Sequence, residues 1–139
     1  MSFFWFTLSA PKNTTLANAI NTTLILHHGV INHVSIYIPN GSAGLFHLQL
    51  FDALHQLYPL STGEDFHGDD ITIDFKEWYD LDVEPYTLVS KCWNDDDTFS
   101  HEIIVCFSVL PKWILIPQLF TDTLKSAWSK LVGKEIEED

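Results

Sequence analysis

The chain contains no arginine. Its seven basic residues are all lysines, set against 19 Asp and Glu, for a formal net charge of -12 over 139 residues. Phosphate backbones are held by clustered Lys and Arg, so this balance excludes nucleic acid as an expected partner. Cysteine is scarce as well. Cys92 and Cys106 are too few for a disulfide framework, and two buried free thiols are expected. No apolar run approaches the ~18–20 residues that span a bilayer. Met1 to Ala10 is aromatic but short, and it lacks the positive n-region of a secretory signal. The Asn-x-Ser/Thr sequons at Asn13, Asn21 and Asn40 therefore read as chance occurrences in a Thr/Asn-rich segment.

Catalytic signatures are missing too. There is no Gly-x-Ser-x-Gly elbow and no cysteine with an evident activating partner, and Gly41-Ser42-Ala43-Gly44 lacks the Lys and Ser/Thr of a phosphate-binding loop. Paired carboxylates abound, but so many acids produce pairs by chance. No catalytic residue, cofactor or metal is assigned, and an enzyme is not expected.

What the chain does have is apolar material. With 46% hydrophobic and 14% aromatic residues it can bury a sizeable core, and its length suits one domain. The negative charge is local. Asp52 to Glu102 carries 14 acids against Lys76 and Lys91, whereas residues 1–51 contain no acid. Acidic loops at one end of a β-domain would produce this pattern and keep the surface solvated.

The dominant periodicity is two, the signature of strands. Thr23 to His27 reads as a strand ended by Gly29. Val30 to Ile38 alternates, with Val30, Asn32, Val34, Ile36 and Ile38 on one face, and Pro39 to Gly44 is a turn cluster. For residues 45–58 a short helix competes with a strand to Phe51, a turn at Asp52-Ala53 and a return through Leu57, and the alternation favours the strands. Ile71, Ile73 and Phe75 mark a half-buried strand. Tyr86 to Trp93 and His101 to Leu110, around the Asn94-Asp95-Asp96-Asp97 turn, look like a hairpin. Strands at short, regular spacing predict an all-β fold, an antiparallel β-sandwich or jelly roll, over residues 22–111.

The two ends differ from this body. Residues 1–21 read as an apolar arm whose Phe3, Phe4, Trp5 and Phe6 need a core, a neighbouring copy or a membrane surface to cover them. Residues 112–139 read as a C-terminal amphipathic helix with a polar tail. Pro117 stands at its first turn, and Phe120, Leu124, Ala127, Trp128 and Leu131 form a stripe that packs on the chain's own sheet or on another copy.

Several clusters invite a sharper reading. Glu64, Asp65, His67, Asp69 and Asp70 offer ligands to a metal, but no spacing matches a zinc pattern, so a solvated acidic loop is preferred. Residues 94–97 lack the ladder of an EF-hand loop, and Asp and Asn form turns by bonding their own backbone. His27, His28 and His33 share no continuous strand face. Trp78, Tyr79 and Trp93 suggest an aromatic platform for a sugar, against the commoner role of strand aromatics as core.

The I-x-I-P-x-G-x-x-G-L-x-H-x-x-x-F segment, Ile36 to Phe51, is followed by Pro85-Tyr86 and Trp93-Asn94-Asp95-Asp96. Together they resemble the small β-sandwich structural proteins of phage and archaeal virions. The resemblance covers residues 22–111 and brings no site residue with it. It implies a capsid, decoration, spike or other particle subunit that partners copies of itself or other proteins of the same particle, located in a virion or extracellular particle. Without that resemblance, the lack of a signal would place the chain in the cytoplasm. The two apolar ends point toward self-assembly independently, with Phe3, Phe4, Trp5, Phe6, Phe120, Leu124, Trp128 and Leu131 as expected contacts. A carbohydrate- or host-surface-binding module is the alternative.

Overall fold

The computed structural model of the protein describes residues 2–113 and 124–131. Eight strands form: β1 (Ser2–Ala10), β2 (Ile20–Ile25), β3 (Gly29–Ile38), β4 (Phe46–Asp52), β5 (His55–Tyr58), β6 (Ile71–Leu81), β7 (Thr87–Asn94) and β8 (His101–Leu110). Their pairing is nested. β1 pairs with β8, β2 with β7, β3 with β6 and β4 with β5, all antiparallel, as if one long ribbon were folded at the β4–β5 turn. Two further pairings, β3 with β8 and β4 with β7, close the ribbon into two four-stranded sheets, ordered β1-β8-β3-β6 and β2-β7-β4-β5. This is a jelly-roll sandwich, the fold class expected from the alternation.

Alternation also decides the core. Leu8 and Ala10 of β1, Val34, Ile36 and Ile38 of β3, and Ile103, Val105, Phe107 and Val109 of β8 face Phe46, Leu48 and Leu50 of β4 and Leu88 and Cys92 of β7. Successive strand residues point to opposite faces, so each of these rows lines one wall of the interior. Gly29 opens β3 where space is tightest. A Cβ there would stand 2.7 Å from the Leu110 carbonyl oxygen and 2.8 Å from Val109 Cγ1.

Four sequence expectations are corrected. Residues 2–10 of the expected arm form β1 within the sandwich, because Leu8 and Ala10 alternate inward and all nine residues pair with β8. The expected hairpin of 86–93 with 101–110 does not form: β7 and β8 lie in different sheets, and residues 95–100 cross between them. The uniform face of Val30 to Ile38 is broken by a register shift between Ile31 and His33, which turns Ile31 into the core. The acidic loops occupy both ends. The stretch 64–70 meets 39–45 through Gly41 N–H to Asp69 Oδ1 at 2.7 Å, whereas Asp80, Asp82 and Glu84 sit at the opposite end, where Leu81 pairs with Gly29.

Residues 124–131 are helical (α1) and expose Leu124, Trp128 and Leu131, with Trp128 69% exposed. Pro117 and Phe120 lie outside the described residues. No helix among the described residues is long and apolar enough to cross a membrane.

Candidate functional surfaces

Four of the eight expected contact residues lie on β1, and two of them reach the outer face of its sheet. β1 is an edge strand, so one side of its backbone has no strand partner among the described residues. Its alternation sends Phe3 and Trp5 outward, 64% and 62% exposed. Phe4 and Phe6 turn inward. Phe6 packs edge-on against Phe107 at 6.1 Å, and Phe4 meets the His27 ring at 5.3 Å. The expected patch Phe3–Phe6 is thus two exposed residues and two packing residues. Leu124 and Trp128 with Leu131 form a second exposed apolar group on α1.

Phe3 and Trp5 wall one side of a shallow groove of about 480 Å³ across the same face. Registers explain its shape. Trp5 lies level with Cys106, Ser35 and Asp74, and Phe3 with Ser108, so small side chains floor the groove between the β1 aromatics and Tyr37 and the His33–Asp74 ion pair. Cys106 lines this outer groove while Cys92 belongs to the core, so the two thiols sit in different sheets and are free. Burial raises both thiols, Cys92 to about 12.

The proposed sugar platform is not assembled. Trp78 and Tyr79 are neighbours on β6 and point to opposite faces; Tyr79 donates its hydroxyl to Asp52, and Trp93 is buried on the β2 sheet. The three N-terminal histidines also stay apart, with His33 on Asp74, His28 against the Tyr86 ring and His27 against Phe4.

The acidic turns are bound to backbone, as Asp and Asn turns are. Asp96 accepts from Thr98 N–H at 2.8 Å and from His101 Nε2 at 2.6 Å, which together hold its carboxyl below the usual range. Asn94, fully buried, donates to the carbonyls of Ala10 and Phe99. Asp69 accepts from Gly41 and Ala43 N–H, and these bonds lower its carboxyl too.

The fold makes one arrangement that sequence spacing does not reveal. The loop residue Phe66 pairs with Leu48, which sets His67 opposite His47 of β4, and Trp93 lies opposite His47 on the other side. Asp65, Asp95 and both histidines meet there, although His47 lies outside the 64–70 cluster in sequence.

No protein-family model matches the chain, and no curated protein matches it. Among solved structures, hydroxypropylphosphonic acid epoxidase from S. wedmorenis aligns over 77% of this chain and 44% of its own, at 9% identity and a TM-score of 0.40. The asymmetric unit of the cyanophage Pam1 capsid aligns over 76% of this chain and 81% of its own, at 12% identity and a TM-score of 0.47. The chain spans less than half the length of the epoxidase. Similarity this low carries nothing about function.

Proposed function

We propose that the chain is a non-enzymatic structural subunit that assembles with copies of itself, of the virion or particle-forming kind that its sequence resemblance implies. The observation that carries this reading is the outward pair Phe3 and Trp5 beside the free edge of β1. Burial of a large apolar side chain contributes ~1.5–3 kcal/mol, so two aromatics and a pairing edge per copy suffice for a repeated weak interface. Leu124, Trp128 and Leu131 supply a second contact, and between copies they would lose the water they meet in the single chain. Light scattering on the doubly substituted Phe3→Ser/Trp5→Ser protein tests the surface. A lower mass than wild type, with an unchanged circular dichroism spectrum, supports it, and an unchanged mass removes β1 from the interface.

One observation favours a second reading, a binding module for carbohydrate or a host surface. The 480 Å³ groove has aromatic walls, and Asn32, which lines it, has a buried Oδ1 without a hydrogen-bond partner among the described residues. Glycan-array binding lost in Trp5→Ala at unchanged stability would favour this module over assembly.

A further inference from the structure

We infer that His47, Asp65 and His67 form a binding site for one divalent first-row transition metal ion, which fastens the 59–70 loop to the β2 sheet. Asp65 Oδ1 lies 2.6 Å from His47 Nδ1 and 2.8 Å from His67 Nδ1, and one ligand atom from each of the three residues falls within 4.8 Å of the others. Ligands around a tetrahedral ion at ~2.0–2.2 Å stand ~3.3–3.6 Å apart, so an outward shift of these side chains by under about 1 Å makes room for it. Two imidazoles and a carboxylate are a donor set suited to zinc and its neighbours rather than to calcium or magnesium.

The surroundings of His47 argue the same way. Its other nitrogen, Nε2, faces Asp95 Oδ2 at 3.1 Å, and the ring stacks on Trp93 at 5.0 Å and 10°. With Nδ1 given to the ion, Nε2 is left on the side of Asp95, a nearby carboxylate of the kind that orients metal-ligating histidines. His47 and Asp65 are mostly buried, while His67 is half exposed and leaves the ion open to water on one side.

Imidazole and carboxylate ligands bind an ion only in their unprotonated forms, so binding of this kind weakens in acid. The ion would add to the bonds that already join the 59–70 loop to β4, the Phe66–Leu48 backbone pair and Gln49 Nε2 to the Glu64 carbonyl at 2.9 Å. The test uses the full chain, stripped with chelator and titrated with zinc alone, read by native mass spectrometry and thermal unfolding, with cobalt absorption as a second probe. One zinc per chain and a raised Tm are expected. His67→Ala, an exposed position that leaves the fold intact, should abolish both, and Asp95→Asn should weaken binding by roughly tenfold. Absence of zinc binding at micromolar concentration, or binding that survives both His67→Ala and Asp65→Asn, would overturn the site and leave a hydrogen-bonded histidine–carboxylate cluster.

Discussion

Two carboxylates hold loops of this protein in place. Asp69 ties the 39–45 turn through two backbone N–H groups, and Asp96 organises the β7–β8 crossing through Thr98, Phe99 and His101. Both carboxyls lie below their ordinary range when folded, so the stability they contribute is present above the unfolded carboxylate pKa, about 3.9. It is lost as pH falls through the depressed folded values. Asp69→Ala should therefore lower Tm at neutral pH and flatten the fall of Tm below about pH 4, measured by calorimetry across pH. An acid limb identical to wild type would deny Asp69 this role. In the core, Phe107 is fully buried, and Phe107→Ala should cost about 3–5 kcal/mol in urea unfolding. Gly29→Ala should destabilise as well, because its Cβ would meet backbone as well as side chain. The turn chemistry of Asn94 and Asp96 is legible in the sequence, since Asp and Asn bond nearby backbone. The partner of Asp69 is not, because it lies 28 residues away on another loop.

At the scale of elements, alternation identifies the strands, and the turn that separates β4 from β5 falls at Ala53-Leu54, one residue beyond the expected Asp52-Ala53. Pairing is a different question. A strand can hydrogen-bond to its sequence neighbour or cross to the facing sheet, and residues 95–100 read equally well as a hairpin turn or as a crossing. That ambiguity explains the wrong hairpin. It also explains why β1 looked like an arm, since the partner that fixes its register, β8, begins at His101. The correction changes the mutational test. Deleting residues 1–10 would strip Leu8 and Ala10 from the core, so substitutions at Phe3 and Trp5 are the clean probes. On α1, Leu124→Ser/Trp128→Ser should leave the sandwich Tm within about a degree, since surface changes away from packed features are usually within ~0.5 kcal/mol. The same variant should reduce assembly in sedimentation velocity. A large fall in Tm would place these residues against their own chain.

For the whole molecule, charge and adhesion are largely separated. Most acids gather in loops at both ends of the sandwich, while the face of the β1 sheet carries aromatics over a floor of small side chains, with the His33–Asp74 ion pair at the margin of the groove. Lys112 to Asp80 at 3.4 Å is the single Lys–carboxylate bridge among the described residues, and there is no arginine to form forked ion pairs. Contacts between copies should thus be apolar and backbone in kind. Higher salt, which screens the repulsion between acidic chains, should preserve or promote assembly. Dissociation at moderate salt, followed by light scattering, would contradict that balance. The chain's acidity was legible from composition and its apolar ends from the order of residues, whereas the His47–Asp65–His67 cluster required the fold to bring β4 and the 59–70 loop together.

The most direct test of the assembly reading is the mass of the purified full chain in solution, by light scattering coupled to size exclusion over a range of concentrations. The account predicts species well above the 15.9 kDa of one chain, growing with concentration. A monodisperse 15.9 kDa species across that range would contradict it.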